Sequence, residues 1–413
     1  MSAKHSFLEQ YEFIKRELHL TNSDLKLKNN YSSPILFGLL SGVLNSKILF
    51  VGEYGLGKTS LAETISSIHT NTPIKSVREQ SLKGHPELTY EEIIGRPDLG
   101  KLNLGEEKVI WSNFVKSKFK VIDEVNRIPE HKQNILLTGL QSSSWQYLNE
   151  TFENDEIGVI ATTNYSDSAN NEIIPPLMDR FDLRVEVKSP NVNIARIIRT
   201  KQENLYEQIK AKGKTTSEVE DNFRKEVRRI YGHELITRDE SEFLKEEIYK
   251  TSFSQEANLY MDVIVSELSS CQVFGNKRKN DECPPGCHYS NYACNKIVSP
   301  MSVRTIKSIT NYSKAVAYLE GESEVKPMHL SKVLPFAINH KLGVSSNEDF
   351  DERREDNKET HYFKKITKEI EQRFYQIKNK QEEFVTSILR NDYSKAKSIA
   401  REIEHPVFLE YLK

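Results

Sequence analysis

The chain has 413 residues, a hydrophobic content of 37% and a formal net charge of −2 at pH 7. This length and composition exclude a disordered chain and predict a globular protein of about two to three domains. The near-neutral charge gives no global reason to expect a nucleic-acid partner. We see neither a run of about 18 apolar residues nor the apolar core of a signal peptide, and we therefore expect a cytoplasmic protein.

In the first half of the chain, helical and strand-like patterns alternate, which is typical of a parallel sheet. Two segments have apolar residues at helical spacing, Phe7 to Leu18 and Pro34 to Leu44, and a further helix is predicted from Ser60 to about Ile68. Predicted strands cover Ile48 to Val51, Pro73 to Val77, Phe119 to Ile122, Ile157 to Ala161 and Leu183 to Val187. The pattern predicts an α/β fold built on a parallel sheet.

Turn-forming residues separate short β-prone runs between the second and third predicted strands. The runs Gly95 to Gly100 and Leu102 to Trp111 therefore predict a hairpin, and a short helix is expected from Ser112 to Ser117. A helix from Gln133 to Leu140 is expected further along.

From about Pro190 onward the chain loses its strand patterns. Predicted helices cover Val192 to Lys212, Ser217 to Tyr231, Glu240 to Leu268, Ser302 to Leu319 and Pro327 to Asn339. A charged linker follows, and the segment from His361 to Arg390 carries apolar residues along one helical face. That face could pack on the protein itself or on a partner. We predict an α/β core over residues 1–189, a helical lid over 190–344 and a helical C-terminal extension over 345–413.

A glycine-rich motif directly follows the first predicted strand. It comprises Gly52, Glu53, Tyr54, Gly55, Leu56, Gly57, Lys58, Thr59 and Ser60. Glycines allow backbone N–H groups to surround phosphate oxygens, and the N-terminus of the following helix adds positive partial charge. Lys58 is expected to reach the β- and γ-phosphates of ATP, and Thr59 to ligate Mg²⁺. The motif predicts a P-loop NTPase, and an ordinary glycine-rich turn is the alternative.

Two carboxylates follow the strand Phe119 to Ile122, in the form of a Walker B motif. Asp123 is expected to hold Mg²⁺ through water, and Glu124 to orient and deprotonate the attacking water. Asn164 follows the next strand and is suited to position the same water or to contact the γ-phosphate. An asparagine at this place can also be an ordinary turn residue.

Arg180 follows a double proline and precedes the last predicted strand, so a turn presents it at a defined place. In a ring of subunits such an arginine can reach the γ-phosphate bound by the neighbouring subunit. The alternative is a surface ion pair with Asp179 or Asp182.

The cysteines lie together in one short window, at about residues 271–294, and they are Cys271, Cys283, Cys287 and Cys294. Four nearby thiolates can enclose a structural Zn²⁺, and a reducing compartment disfavours disulfides. The spacing is irregular and lacks paired C-x2-C knuckles, so unrelated thiols remain the alternative. His288 could replace one thiol as a ligand.

Together, the glycine-rich motif and three further strings resemble the MoxR family of AAA+ ATPases, which is related to the magnesium chelatase motor subunit. These strings are Asp123-Glu-Val-Asn-Arg127, Ala161-Thr-Thr-Asn164 and Leu177-Met-Asp-Arg-Phe181. The resemblance implies that the Leu99 to Trp111 hairpin is the insert that faces a central pore. It also implies that Arg304, in Ser302-Val-Arg304, is the sensor 2 arginine, and that Arg127 lies near a subunit interface.

The resemblance spans roughly Phe7 to Leu342 and departs from the family at three places. Val303 stands where the family usually has proline, and neither the cysteine insert nor the tail beyond Asp349 is a general family feature. The resemblance implies a hexameric ATPase that remodels a protein client, often together with a von Willebrand factor A protein.

Two other functions remain open. The first is a nucleic-acid motor, for which the lysines in Lys116 to Lys120 and Lys277 to Lys279 could supply basic surface. The second is a nucleotide switch without useful turnover, against which the intact Glu124 argues.

Overall fold

A computed structural model describes residues 3–70, 72–155, 158–165, 172–200, 215–231, 236–269, 291–297, 299–343, 355–403 and 405–411. The chain forms two compact units, Met1–Glu247 and Ile248–Lys413. In the described part of the chain, no helix is both long enough and apolar enough to cross a membrane.

The first unit is built on a five-stranded parallel sheet with the strand order β11-β3-β10-β7-β4. Its strands are β3 (Lys47–Val51), β4 (Leu82–Lys83), β7 (Phe119–Asp123), β10 (Gly158–Thr163) and β11 (Leu183–Glu186). Strand β10 lies between β3 and β7, and Ala161 pairs with Leu49 on one side and with Ile122 on the other. The carboxyl ends of β3, β7 and β10 therefore meet at one edge of the sheet.

Short antiparallel strand pairs accompany this sheet: β1 (Leu25–Lys26) with β2 (Asn30–Tyr31), β5 (Gly95–Pro97) with β6 (Val109–Trp111), and β8 (Ser144–Tyr147) with β9 (Glu150–Glu153). The pairing of Gly95 with Trp111 confirms the predicted hairpin, which contains one helical turn near its tip. The β8–β9 hairpin has no counterpart in the sequence prediction.

The helices of the first unit are α1 (Ala3–Phe13), α2 (Ser33–Leu44), α3 (Lys58–Thr70), α4 (Ile74–Gln80), α5 (Tyr90–Ile93), α6 (Leu99–Leu102), α7 (Asn113–Lys116), α8 (Glu130–Ser142), α9 (Pro175–Met178), α10 (Val192–Thr200) and α11 (Thr216–Tyr231), and α12 (Arg238–Lys250) spans the boundary between the units. Helix α1 continues into a π-helical turn, Ile14–Leu18, and a 3₁₀ turn covers Val125–Arg127.

Helix α2 packs closely on α3 and on the sheet. Gly38 permits this contact, because a Cβ at that position would lie 2.4 Å from Cδ1 of Ile65. A second apolar cluster joins Leu49, Ile122 and Val159 of the sheet to Leu136 of α8 and Trp145 of β8. These buried side chains hold the strands that end at the polar edge.

The predicted strand Pro73 to Val77 is wrong, because this segment begins helix α4 and Val77 alone in that helix is buried. The second strand is instead β4, which pairs with β7 through Leu82 and Ile122. One buried apolar residue per turn cannot distinguish a short helix from a strand.

The second unit consists mainly of α13 (Gln255–Ser269), α14 (Ala293–Lys296), α15 (Val303–Glu320), α16 (Pro327–Ile338), α17 (Glu355–Leu389), α18 (Tyr393–Glu402) and α19 (Pro406–Glu410), and it contains the strands β12 (Ser252–Phe253) and β13 (Glu324–Val325). The predicted single helix Glu240 to Leu268 is wrong, because β12 interrupts it to pair with β13. Two helices, α12 and α13, stand in its place.

The C-terminal helix α17 buries its apolar face within the second unit, where it contacts α13 and α16. Phe363, Ile370, Phe374 and Phe384 are each fully buried along that face. The apolar stripe that the sequence predicted therefore packs on the protein itself.

Candidate functional site

The glycine-rich loop connects the carboxyl end of β3 to the first residue of α3, Lys58. Gly52 passes close to the neighbouring chain, since a Cβ there would lie 2.4 Å from the carbonyl oxygen of Val187. Gly57 has φ 76°, a left-handed conformation that favours glycine. The loop therefore keeps its backbone open in front of the α3 N-terminus, which attracts negative charge.

Lys58 is almost fully buried beneath this loop. Its Nζ donates hydrogen bonds to the carbonyl oxygens of Gly52 and Glu53 at 2.8 and 2.7 Å, and to Oδ1 of Asn164 at 2.8 Å. Burial lowers the pKa of Lys58, whereas the carboxylates of Asp123, Glu124 and Glu53 act in the opposite direction. The ammonium group is thus fixed between the loop and the end of β10.

Asp123 lies at the end of β7, across from the α3 N-terminus. Its Oδ1 accepts a hydrogen bond from Oγ1 of Thr59 at 2.6 Å and another from Oγ1 of Thr162 at 2.6 Å. Carboxylate and hydroxyl oxygens are the ligands that Mg²⁺ prefers in proteins. The contact brings together two residues that the sequence predicted to act on the same metal ion.

Glu124 has φ 51° and ψ 53°, a left-handed conformation that is strained for a residue with a side chain. Its backbone N–H donates to Oγ1 of Thr162 at 3.0 Å, and its Oε1 accepts from Nδ2 of Asn164 at 3.0 Å. Its Oε2 lies 3.2 Å from Nε of Arg127. These contacts hold a partly exposed carboxylate beside the Lys58 ammonium.

Arg180 lies at the turn after α9, and its guanidinium is mostly buried. It donates a hydrogen bond to Oε1 of Gln141 on α8, and one of its nitrogens lies 3.6 Å from Oδ2 of Asp179. Asp182 instead accepts a hydrogen bond from the backbone N–H of Lys47 at 2.8 Å. Within one chain, Arg180 therefore has a local ion pair with Asp179.

The remaining predicted residues belong to other parts of the chain. Arg304 is in the first turn of α15, in the second compact unit. Cys271, Cys283, Cys287 and His288 lie outside the described residues, and Cys294 is buried in α14. Across the described ranges, no group of three or more histidine, cysteine or acidic residues could hold a metal ion.

Sequence reasoning gave no role to two residues of this site. Thr162 joins Asp123 to the backbone of Glu124, and its position as a polar residue at the end of a buried strand was the available signal. His19 lies against the loop, since a Cβ at Gly57 would be 2.8 Å from its Cε1. Burial lowers the pKa of His19 to about 4, so this imidazole is neutral at physiological pH. His19 lies far from the loop along the chain, so no local sequence pattern indicated this contact.

Residues 47–181, which contain the loop, both carboxylates, Asn164 and Arg180, match the family model described as an AAA domain of the dynein-related subfamily. This segment is therefore similar to an AAA domain. An AAA domain implies ATPase activity at a general level and the use of ATP and Mg²⁺, and such domains typically assemble into rings.

The structure is similar to the crystal structure of a protein from Cytophaga hutchinsonii ATCC 33406 that is described as a candidate ATPase. The TM-score is 0.56 at 16% sequence identity, and the match covers 83% of this chain and 89% of the other. At this identity the similarity shows the fold alone. No curated protein matches the chain.

The side chains around the glycine-rich loop fit ATP and Mg²⁺. The α3 N-terminus, the open loop backbone and the Lys58 ammonium suit a polyphosphate, and the oxygens of Thr59 and Asp123 suit Mg²⁺. Glu124 follows Asp123 directly in the chain, and its carboxylate contacts Asn164 and Arg127.

Proposed function

We propose that this chain is an ATP-hydrolysing ring motor of the MoxR type that remodels a protein client. One observation carries the proposal: Lys58, Asn164 and Glu124 form a continuous hydrogen-bonded chain at the sheet edge, beside the contact between Thr59 and Asp123. Binding groups for phosphate and metal thus lie next to a carboxylate that can act on water. A protein that only bound nucleotide would not need that last group.

Each residue has a distinct role in this proposal. Lys58 and the backbone of Gly52 to Thr59 hold the phosphates, and Ser60 continues the helix whose N-terminus faces them. Thr59 and Asp123 hold Mg²⁺, which supplies neutralisation of the phosphate charge. Glu124 orients water and accepts its proton, and Asn164 fixes the direction of that carboxylate.

We further propose that Arg180 acts on the site of a neighbouring subunit and that Arg304 contacts the γ-phosphate as sensor 2. Arg180 would exchange its contacts with Gln141 and Asp179 for contacts with phosphate oxygens. An arginine in that place increases the rate of ATP hydrolysis by ~10³ to 10⁵. Ring assembly, in a hexamer, then becomes a requirement for fast turnover.

The domain division of residues 1–189, 190–344 and 345–413 and the zinc insert are kept as parts of the proposal. Metal analysis of the purified chain tests the insert, and about one Zn²⁺ per chain is expected if the cysteines close one site. The resemblance alone suggests a separate von Willebrand factor A protein as partner, and co-purification tests it.

The nucleic-acid alternative loses part of its support. Lys120 is fully buried, and its Nζ donates to the carbonyl oxygens of Phe114, Val115 and Ser117 at 2.8, 3.0 and 3.1 Å. This lysine caps the C-terminus of α7 and supplies no basic surface. Lys277 to Lys279 lie outside the described residues.

The experiment that tests the proposal measures ATP turnover at several protein concentrations. Turnover per chain should rise with concentration, and the Arg180→Ala and Lys58→Ala variants should each be inactive alone. Mixing them should restore part of the activity, because each supplies what the other lacks, while a mixture of Lys58→Ala with Lys75→Ala serves as the dilution control.

Turnover that is independent of concentration, or a mixture that stays inactive, would count against the shared site. Strong stimulation by single- or double-stranded DNA would favour the nucleic-acid motor.

A further inference from the structure

Two hairpins of the first unit lie side by side. Asn149, at the turn of the β8–β9 hairpin, donates a hydrogen bond to Oε2 of Glu107 in the β5–β6 hairpin. The rings of Trp111 and Phe152 are 5.7 Å apart. These contacts join the turn of the second hairpin to the first, and we name residues 90–111 and 144–153 together the paired-hairpin surface.

Helix α5 is part of the same surface. The Tyr90 hydroxyl donates to the carbonyl oxygen of Gln146 at 3.4 Å, and the rings of Tyr90 and Tyr147 are 5.1 Å apart. The contacts tie the base of one hairpin to the strand of the other.

The paired-hairpin surface exposes a concentration of large apolar side chains. Leu104 and Leu99 are 75% and 70% exposed, and Leu148 is 48% exposed. Leu102, Ile110 and Tyr90 are also exposed. Single exposed leucines are ordinary, but several on two adjoining turns are typical of a contact site.

The backbone at one tip gives a second, independent observation. Leu148 has φ 51°, a left-handed conformation in which glycine or asparagine is normally found. The leucine costs strain there, and about half of its surface is exposed to solvent. A strained, exposed leucine at a turn indicates that the side chain serves an interaction.

The charges around these leucines distinguish between kinds of partner. The surface contains seven acidic residues, Glu91, Glu92, Asp98, Glu106, Glu107, Glu150 and Glu153. It contains only three basic residues, Arg96, Lys101 and Lys108, and Lys101 is paired with Glu106 at 2.9 Å. A negative surface repels phosphates and attracts cationic side chains.

We propose that the paired-hairpin surface binds a polypeptide segment that carries apolar and basic side chains. The leucines bury the apolar residues of the segment, and the surrounding carboxylates attract its lysines and arginines. The inference rests on the proposed function, since it names the kind of client on which the ATP-driven motor acts.

The test uses the full chain and a fluorescent peptide built from leucine, lysine and serine, with binding followed by fluorescence anisotropy. A second peptide replaces every lysine with glutamate, and a single-stranded DNA oligonucleotide is the third probe. The lysine peptide should bind, and binding should weaken as salt increases. The glutamate peptide and the DNA should bind far more weakly.

Two substitutions locate the binding. Leu104→Ser combined with Leu148→Asn should weaken the peptide Kd about tenfold, which corresponds to about 1.4 kcal/mol. Leu389→Ser is the matched control, because Leu389 is a leucine that is 79% exposed in the tail helix. Leu148→Asn should keep or raise the melting temperature, so loss of binding would not reflect loss of folding.

Several outcomes would overturn the inference. Equal binding of both peptides would refute the role of charge, and DNA binding that depends on the two leucines would assign the surface to nucleic acid. An unchanged Kd in the double variant would place the contact elsewhere. A change of oligomeric state with the same Kd would make the surface an interface between copies. ATP turnover is measured separately, so failure of the motor and failure of this surface can be told apart.

Discussion

Two of the described clusters that combine a carboxylate with an arginine differ in ways that separate the proposed reactive site from a structural one. At the sheet edge, Glu124 is partly exposed, and Arg127 approaches it through one contact of 3.2 Å. In the second unit, Glu267 is fully buried, and Arg373 donates to both of its oxygens at 2.9 and 2.5 Å.

The two carboxylates also differ in how completely they are satisfied. Glu267 additionally accepts from the backbone N–H of Ala293 at 3.2 Å and lies 3.2 Å from Nε2 of His405. Burial raises the pKa of Glu267, but the contacts with His405 and Arg373 together lower it by more. The pKa of Glu267 is therefore below its usual range. Glu267 thus joins α13, α14, α17 and the C-terminal segment. Glu124 keeps a strained backbone and is partly exposed, which suits its proposed role of meeting water.

The largest expected effect falls on catalysis. Glu124→Gln keeps the contact with Asn164 but removes the base, so turnover should fall by roughly 10² to 10⁴ while ATP still binds. Steady-state turnover and equilibrium nucleotide binding are measured side by side, and Glu79→Gln, at an exposed position of α4, is the control. Near-normal turnover in Glu124→Gln would remove this residue from the base role.

The structural cluster should respond in stability. Arg373→Ala leaves Glu267 charged and buried without its main partner, which typically costs about 3 to 5 kcal/mol of unfolding free energy. Arg127→Ala breaks a more exposed pair and should cost at most about 1 kcal/mol. Denaturant unfolding of both variants makes the comparison. Similar losses in the two would contradict the distinction between the clusters.

Thr162 tests whether a residue that contacts both Asp123 and Glu124 is needed to position them. Thr162→Val removes the hydroxyl that contacts Asp123 and the Glu124 N–H, and turnover should fall roughly tenfold to a hundredfold through misplacement of these groups. Thr163→Val is the matched control, because the Thr163 hydroxyl bonds only to the carbonyl oxygen of Asn164 at 3.1 Å among the contacts described. Equal effects of the two variants would mean that the loss reflects the strand alone.

Lys120 extends the comparison to a buried lysine whose hydrogen-bond acceptors are backbone carbonyl groups. Burial lowers the pKa of Lys120 to about 7, below its ordinary value of about 10.4 in the unfolded chain. Between these pH values the unfolded chain binds more protons, so stability should rise with pH, by at most about 1.4 kcal/mol per pH unit. Below about pH 7 the lysine is protonated in both the folded and the unfolded chain, so it no longer makes stability depend on pH.

Lys120→Met should flatten that rise, whereas Lys118→Met, at an exposed position, should leave it unchanged. Thermal or denaturant unfolding between neutral and alkaline pH gives the slopes. A wild-type slope equal to that of Lys120→Met would show that the lysine stays protonated, held by its three carbonyl acceptors.

The sequence by itself determined which polar residues lie at the sheet edge and which apolar strands they follow. The glycine-rich loop, Asp123 and Glu124 each follow an apolar strand, and parallel strands end at one edge, so local patterns predict their meeting. The tail helix was equally clear, because its apolar residues recur at helical spacing over many turns.

Only the tertiary structure decided which partners these groups have. The contacts of Thr162 with Asp123, of Arg127 with Glu124 and of Arg373 with Glu267 depend on side-chain directions that no local pattern specifies. Pro73 to Val77 was predicted wrongly because its weak apolar pattern fits a short helix and a strand alike, and β4 lies at the edge of the sheet instead. Lys120 is the clearest case, because a basic run predicts surface, whereas three carbonyl groups at the end of α7 hold this lysine in the core.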